Sequence, residues 1–360
     1  MEFALVAMAL FLAFNNGAND NFKGFATVWG SETLSYRQAL IFATLATLAG
    51  SVASLFLADT LVQQFSGRGL VPNSVASSTH FILSVATAAA LTVFLATGLG
   101  FPISTTHALI GGLVGAGLGQ PAGVVNYSNL VNTFFVPMLL SPILAAGLGF
   151  YIYTLVLKRR ATADCVCVVP GNLVAAPITA TGMTTQRRAM PSLVVGSDAQ
   201  CDTVPVQARF SLSQSMKCLH IGSAVTICFA RALNDTPKLA ALLIASKLLG
   251  SSNSIALVGL LMGVGGLMFA KKVAHTMSQR INRMNDGQGL TANLMTATLV
   301  LLASKFGLPV STTHVSVGSI AGVGISAGSV NWPALRGVLM SWVATLPLAL
   351  TIGWLVSKLL

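Results

Sequence analysis

Long apolar runs separated by short polar stretches make up most of the chain. A helix that crosses a membrane needs about 20 largely apolar residues, and most of these runs reach that length. We therefore predict an all-α polytopic membrane protein with ten helical segments. They cover residues 2–18, 36–58, 79–97, 102–119 and 131–157 in the first half, and 214–232, 253–270, 290–306, 310–327 and 331–357 in the second.

One long polar interval divides the chain into a first membrane repeat at residues 1–157, a central segment at 158–213 and a second membrane repeat at 214–360. The interval is too long and too polar to be a connection inside a helix bundle. Both a small extramembrane domain and a flexible linker are compatible with its composition. Its basic residues are Lys158, Arg159, Arg160, Arg187, Arg188 and Arg209.

Composition supports lipid as the main solvent of the chain. Hydrophobic residues make up 54% of the sequence and charged residues only 8%, against about 25% charged residues in a typical soluble domain. The formal net charge of +11 lies mainly between the apolar runs, as expected for cytoplasmic loops, so we expect no nucleic-acid partner. The apolar N-terminus has no basic region or cleavage site, and is predicted to be a retained first helix.

Two motifs occur in the same order in both halves, which indicates an internal repeat. FNNGANDNFKGFA begins at Phe14 and FARALNDTPKLAA at Phe229, while GFPISTTH begins at Gly100 and GLPVSTTH at Gly307. The alignment pairs Asn19 with Asn234, Asp20 with Asp235, Lys23 with Lys238, Gly111 with Gly318 and Gly115 with Gly322. We expect these glycines to be small-residue contacts between helices.

The two halves are predicted to have inverted orientations. Each half has five apolar segments, and an odd number of spans makes the second repeat enter the membrane from the opposite side. The loop after residue 58 holds Asp59 and Arg68, whereas the loop after residue 270 holds Lys271, Lys272, Arg280 and Arg283 against Asp286. The second loop and the central segment should therefore be cytoplasmic, with both termini outside. The short segments 102–119 and 310–327 could, as an alternative to full spans, be re-entrant or broken helices.

The repeated Asn-Asp pairs are candidate cation sites. Asp20 and Asp235 follow long apolar stretches, where a carboxylate costs about 2.5–3.5 kcal/mol to insert, so function is the default explanation. Asn19 and Asn234 would add amide oxygens, which suit a hard cation such as sodium.

An alternative for these aspartates is a structural ion pair. Lys23 and Lys238 each follow an aspartate by three residues, a spacing that places both groups on one helix face. Gly17 and Pro237 favour a break in the helix at each motif, which would release backbone carbonyls as further ligands.

The repeated P-[IV]-S-T-T-H motifs are candidate anion sites. Proline two residues before a serine suits a helix start with Ser104 or Ser311 as the N-cap. A helix N-terminus binds anions, and the adjacent hydroxyls add donors. Two such ends converging from opposite sides would suit a tetrahedral oxyanion, although plain capping is the alternative. The hydroxyls are Ser104, Thr105, Thr106, Ser311, Thr312 and Thr313. For His107 and His314, structural and functional roles stay open.

The five cysteines are Cys165, Cys167, Cys201, Cys218 and Cys228. Without a histidine between the first three, C-x-C is a weak zinc pattern, and we expect free thiols in a reducing compartment. A disulfide and a metal site are the alternatives.

At these motifs the chain resembles the inorganic phosphate transporter family, the PiT type. GAND at Gly17 to Asp20 matches that family's repeated motif, and LND at Leu233 to Asp235 is a degenerate partner. The resemblance covers both membrane halves. It implies inverted repeats, a cytoplasmic central loop and cotransport of phosphate with sodium or protons, and a few relatives carry sulfate. It also implies a cation region at Asn19, Asp20, Asn234 and Asp235, and phosphate at the STTH hydroxyls.

The sequence departs from that family at two lysines. Small residues normally follow the GAND aspartate, but here Asn21, Phe22 and Lys23 follow it, and Lys238 repeats the departure. A fixed ammonium would pair with the aspartate or help to neutralise the anion, and would take one cation site. Proton coupling therefore stands beside sodium coupling.

Taken together, the motifs predict a secondary active symporter for inorganic phosphate rather than an enzyme. The alternatives are a sulfate or other oxyanion transporter, a passive anion channel, and a membrane-embedded hydrolase using Ser104 with His107; no G-x-S-x-G elbow or Walker loop occurs. We expect no cofactor or resident metal beyond the coupling ion, sodium or proton. The chain is expected in the cell membrane as a multi-pass protein, with a homodimer left open.

Overall fold

The computed structural model describes residues 1–57, 59–121, 125–157, 165–170, 173–175, 186–188, 190–203 and 206–360. Compact packing divides the chain into a membrane unit, residues 1–157 with 220–360, and a central unit, residues 158–219. The predicted division treated the two membrane repeats as separate domains. They form one unit because helices of each half pack against helices of the other half as well as within their own.

Among the residues that the structure describes, ten long helices lie wholly or mainly in the membrane unit, five from each half, as the apolar pattern predicts. The first five are α1 (Glu2–Asp20), α2 (Tyr36–Leu57), α3 (Thr79–Leu99), α4 (Thr105–Gly119) and α5 (Val136–Ile152). The second five are α6 (Leu212–Ala245), α7 (Ser251–Phe269), α8 (Asp286–Lys305), α9 (Thr312–Ala327) and α10 (Trp332–Leu359).

Short helical pieces join or extend these ten helices. They are a 3₁₀ turn at Lys23–Phe25, α-helical pieces at Ala26–Gly30, Asp59–Phe65, Asn73–Ala76, Tyr127–Asn129 and Lys271–His275, and π-helical turns at Leu130–Phe135, Tyr153–Leu157 and Thr276–Arg280.

Six helices among the described residues are long and apolar enough to cross a membrane, fewer than the ten predicted. They are Tyr36–Phe56, Thr79–Leu99, Tyr127–Leu155, Leu212–Ala245, Ser251–Phe269 and Trp332–Leu359. The 15 residues of α4 and the 16 of α9 fall short: at about 1.5 Å per residue they cover roughly 22–24 Å of a core about 30 Å thick. This length favours the re-entrant alternative for both.

Large apolar side chains cover the outside of the membrane unit, while polar groups lie inside it. Phe3 is 85% exposed and Phe56 is 81% exposed, whereas Asn16, Asn234 and Thr236 are fully buried. A protein surrounded by water would bury the aromatic rings first. The distribution fits lipid as the solvent.

Close backbone contacts hold the halves together at glycines. A Cβ atom on Gly50 of α2 would lie 2.2 Å from the Phe229 carbonyl oxygen, and one on Gly265 of α7 would lie 1.9 Å from the Phe14 oxygen. The two contacts join equivalent positions of the two halves, with the partners exchanged. The repeat in sequence is therefore also a repeat in packing, while the inverted orientation of the halves stays a prediction.

The glycines that follow the STTH motifs also make helix contacts, as predicted. Cβ atoms on Gly111 and Gly115 of α4 would lie 2.7 and 2.0 Å from carbonyl oxygens of α10. Equivalent atoms on Gly318 and Gly322 of α9 would lie 2.5 and 2.0 Å from those of α5. Only hydrogen at these positions lets the two pairs of helices pack this closely.

The predicted helix breaks at Gly17 and Pro237 are wrong. The first helix continues through Gly17 to Asp20 and turns into a 3₁₀ helix only at Lys23, while α6 passes through Pro237 without interruption. Gly17 serves close packing, since a Cβ there would lie 1.9 Å from the Met262 carbonyl oxygen. A proline removes one helical hydrogen bond, and a buried helix tolerates that loss when its neighbours hold it.

The central unit is a small α/β structure in its described residues, not a linker, so the all-α prediction holds only for the membrane unit. Its strands are β1 (Cys165–Val169), β2 (Leu173–Ala175), β3 (Gln186–Arg188), β4 (Ser192–Gly196) and β5 (Ala208–Ser211). Antiparallel pairing gives a three-stranded sheet in the order β4-β1-β5 and a two-stranded sheet β2-β3. Lys158, Arg159, Arg160 and the side chain of Asp59, used above for orientation, lie outside the described residues.

A disulfide joins Cys167 of β1 to Cys201 of the short helix Asp198–Asp202, so free thiols are the wrong prediction for these two residues. Alternation along the strand places Cys165 and Cys167 on one face, and all three sulfur-bearing side chains are buried together. Cys165, Cys218 and Cys228 are not in disulfides.

Cys201→Ser should open the central unit to protease in the full-length protein. The disulfide joins residues that are 34 apart in the sequence. A disulfide that closes a loop of that size stabilises a fold by about 3–4 kcal/mol. Limited proteolysis with mass spectrometry should show faster cleavage within residues 165–211. Cys218→Ser, which removes an exposed free thiol, is the control, and the protease should cleave it at the wild-type rate. Equal rates for both variants would show that the bond does not stabilise the unit.

Candidate functional site

The two STTH segments meet in the interior of the membrane unit. Thr313 Oγ1 donates a hydrogen bond to the carbonyl oxygen of Ile103 at 2.8 Å, and Thr106 Oγ1 reaches the oxygen of Val310 at 3.4 Å. The rings of His107 and His314 lie edge to face, with centroids 4.3 Å apart. The N-terminal ends of α4 and α9 therefore lie in contact with each other.

Both serines cap their helices, as the sequence predicts. Ser104 Oγ accepts a hydrogen bond from the backbone N–H of His107 at 3.1 Å, and Ser311 Oγ accepts one from that of His314 at 3.2 Å. Extended backbone precedes each helix, so the first amides of α4 and α9 have no partner inside their own helix. Both helix ends carry partial positive charge toward the same buried place.

The asparagines of the two motifs join helices to each other. Asn19 Nδ2 donates to Thr97 Oγ1 at 2.9 Å and to the Phe101 carbonyl at 3.0 Å, and Asn234 Nδ2 donates to Ser304 Oγ at 2.9 Å. Thr97 and Ser304 occupy equivalent positions near the ends of α3 and α8. Both amides thus anchor their own helix to the segment that precedes an STTH motif.

Lys23 and Asp20 form a buried ion pair. The Lys23 ammonium also donates to the Ile103 carbonyl at 3.0 Å and to the Thr313 hydroxyl. Asp20 comes from the first half of the chain and Thr313 from the second, so the ammonium bridges the two halves.

Lys238 repeats this arrangement with the halves exchanged. Its ammonium lies 3.3 Å from Asp235 Oδ1, 3.0 Å from the Val310 carbonyl and 3.0 Å from Thr106 Oγ1, and also contacts Asn234 Oδ1. Val310 and Thr106 are the equivalents of Ile103 and Thr313. The ion-pair alternative for the aspartates is therefore present in the structure, and it lies directly beside the hydroxyls.

Arg231 belongs to the same cluster and was missed by the sequence analysis. Its NH1 group donates to Asn16 Oδ1 at 3.3 Å and lies 3.9 Å from Asp235 Oδ2, while NH2 donates to Thr47 Oγ1 at 2.7 Å. The sequence held a clue, because an arginine inside an apolar helix, four residues before a conspicuous aspartate, needs a partner on that face.

The two halves differ at this position. Asn16 takes the place of Arg231 in the first motif, and its Nδ2 donates to Thr105 Oγ1 at 2.9 Å. The cluster thus holds three basic side chains and two carboxylates, an excess of one positive charge when all are ionised. An excess positive charge in a medium of low dielectric favours an anion.

All the predicted site residues are buried. The asparagines, aspartates, lysines, serines and threonines named in the sequence analysis are at most 6% exposed, including Thr312. A cavity of about 390 Å³ is lined by Asn15, Ala18 and Thr97, next to the Asn19 anchor. A second cavity of about 580 Å³ is lined by Arg68, Ala241 and Lys247, beyond Lys238 on α6. The site itself is therefore occluded, and both cavities lie outside it.

A model of the phosphate transporter family matches residues 16–353, nearly the whole chain. The chain belongs to the phosphate transporter family. Members of this family are transporters of phosphate and not enzymes, so the family resemblance inferred from the motifs is confirmed. With its apolar helices, this member is a multi-pass membrane protein.

Relatives among curated proteins have names of the same kind, and a solved structure has the same fold. The transporter is 26% identical to the chloroplastic inorganic phosphate transporter 2-1 of Arabidopsis thaliana, over 100% of this chain and 73% of that protein. It is 26% identical to a Bacillus subtilis protein named as a probable low-affinity inorganic phosphate transporter, over 97% and 94% of the two chains. A solved structure named as the sodium-dependent phosphate transporter shares the fold, with a TM-score of 0.77, 22% identity, and coverage of 99% and 98%.

Arg231→Leu should lower the stability of the transporter markedly. The change removes the guanidinium that lies 3.9 Å from the buried Asp235 Oδ2, an oxygen with no hydrogen-bond partner among the described residues. Breaking a buried pair by removing one partner costs about 3–5 kcal/mol. Thermal unfolding in detergent measures the loss. The matched control is Arg280→Leu at an exposed arginine, which should have the same unfolding midpoint as the wild type. A similar midpoint for both variants would contradict a structural role for Arg231.

Proposed function

We propose that the chain is a secondary active symporter that carries inorganic phosphate together with a coupled cation, sodium or a proton. The observation that carries the proposal is the meeting of two helix N-termini and their hydroxyls at a buried cluster with excess positive charge. Partial charges at both helix ends and the hydroxyl donors would stabilise a tetrahedral anion there.

Nearby carboxylates favour phosphate over sulfate at such a site. The Lys23 ammonium contacts both Asp20 Oδ1 and Thr313 Oγ1, so a single ammonium group bridges this carboxylate and the Thr313 hydroxyl. At neutral pH phosphate keeps a proton that it can donate to a carboxylate, whereas sulfate has none to donate. A carboxylate beside the anion would repel sulfate more strongly than protonated phosphate.

Burial of the site supports transport by alternating access over a passive channel. A dianion cannot enter a medium of low dielectric unless its charge is offset. Cation and anion would therefore bind cooperatively, because each lowers the cost of burying the other. Rocking of one set of helices against the other would then expose the occluded site first to one side of the membrane and then to the other.

Sidedness and assembly complete the proposal. The central unit would be cytoplasmic and both termini outside the cell membrane, as the distribution of basic residues predicts. The homodimer left open by the sequence stays a prediction.

Replacing both capping serines, Ser104→Ala with Ser311→Ala, should weaken phosphate affinity. A hydrogen bond to a charged group is worth about 1.5–3 kcal/mol, so the loss should reach at least about tenfold in the KM for uptake of labelled phosphate. The control is Ser78→Ala, because Ser78 caps α3 with the same geometry but lies outside the site. An affinity loss no larger than that of the control would count against the anion site.

Asp20→Asn and Asp235→Asn should each abolish concentrative phosphate uptake per molecule of folded, reconstituted protein. Either change removes a negative charge that pairs with a cation at the site. Proteoliposomes with an imposed cation gradient provide the measurement. Asp286→Asn is the control, since Asp286 accepts hydrogen bonds from Thr33 and Ser31 outside the cluster. Normal accumulation by both site variants would refute a coupling role for these carboxylates.

A further inference from the structure

The Lys23 ammonium has the surroundings of a bound cation. A lysine ammonium has three N–H donors, and that of Lys23 contacts three oxygens: a carboxylate of Asp20, the backbone carbonyl of Ile103 and the hydroxyl of Thr313. Only 3% of the residue is exposed. All three donors are used by protein groups, which offsets the cost of burying the charge.

Lys238 occupies the equivalent place in the second half. Its ammonium contacts the carboxylate of Asp235, the amide oxygen of Asn234, the carbonyl of Val310 and the hydroxyl of Thr106. Carboxylate, carbonyl, amide and hydroxyl oxygens are also the ligands that hard metal cations prefer. Each ammonium nitrogen therefore lies at the centre of an oxygen cluster suited to a hard monovalent cation.

A covalently attached cation differs from a dissolved one in its effect on transport. It supplies positive charge to the site in every cycle, but it cannot leave with the substrate. The charged groups of the cluster are Asp20, Lys23, Arg231, Asp235 and Lys238, with the rings of His107 and His314 beside them. With the two histidines neutral and the other five ionised, the cluster has one positive charge in excess.

The charge balance then limits the coupled charge to a single positive one. A phosphate dianion brings the charge of the cluster from plus one to minus one, and a single proton returns it to zero. That proton can remain on phosphate as its monoanion or be transferred to a carboxylate. No metal ion is required for neutrality in the loaded site.

We infer that Lys23 and Lys238 are built-in counter-cations that fill both symmetric cation positions, so that phosphate uptake is independent of sodium and is driven by protons. The inference rests on the proposed phosphate site and specifies its coupling ion. In this assignment each lysine ammonium occupies a position that a sodium ion would otherwise fill.

Purified full-length protein in proteoliposomes tests this inference. Uptake of labelled phosphate is measured with an inward sodium gradient, with choline replacing sodium, and with an inward proton gradient, at a clamped membrane potential. The wild type should take up phosphate equally in sodium and in choline, and faster with the proton gradient. Uptake that requires sodium would overturn the inference while leaving the phosphate site intact. No uptake under any gradient would instead contradict the proposed function.

Lys23→Ala provides a second readout that does not depend on transport. Removal of the ammonium leaves its oxygen ligands around an unfilled position, and sodium should then bind there. Sodium chloride, compared with choline chloride, should raise the thermal midpoint of Lys23→Ala and leave that of the wild type unchanged. Sodium should also stimulate the remaining uptake of the variant by about tenfold, within the usual range of coupling between sites.

Two further variants keep this test decisive. Lys238→Ala should respond to sodium in the same way, and serves if Lys23→Ala does not fold. Lys305→Ala, at an exposed lysine, is the matched control and should show no sodium response. A sodium response of the wild type equal to that of the site variants, or no response in any variant, would contradict the assignment.

Discussion

The structure depends on the burial of five charged side chains inside a unit whose outer surface is apolar. A charge in such surroundings is tolerated only when it is paired and hydrogen-bonded. Lys23 and Lys238 meet this requirement by crossing between the halves, since each pairs with the aspartate of its own motif and with a threonine of the other STTH segment. Neither half can satisfy its lysine alone, so the two repeats are bound to one another at the site.

Close helix packing makes this crossing geometrically feasible. Helices in lipid gain little from the hydrophobic effect, and small residues allow the van der Waals contact that holds them together. Gly50 and Gly265 bring α2 against α6 and α7 against α1, and the glycines after each STTH motif do the same for α4 and α9. The motif helices are thereby held near enough for lysine and arginine side chains to span the interface.

A departure from the symmetry of the repeat gives the buried cluster its net positive charge. An exact repeat with two lysines and two aspartates would be neutral, but Arg231 replaces the amide of Asn16 and adds one positive charge. The same arginine also connects α6 to α2 through Thr47. One residue thus joins the two halves and gives the cluster its excess positive charge.

The sequence alone determined the ten helices, the repeat, the Asn-Asp and STTH motifs and the family, because apolar run length and repeated residues are local properties of the chain. It also held the spacing of Asp20 to Lys23. Only the tertiary structure decided that Gly17 packs against Met262 instead of breaking α1, that Cys167 meets Cys201, and that Arg231 joins the cluster. These outcomes depend on partners distant in the sequence, and which distant groups meet is set by helix packing, not by any local pattern.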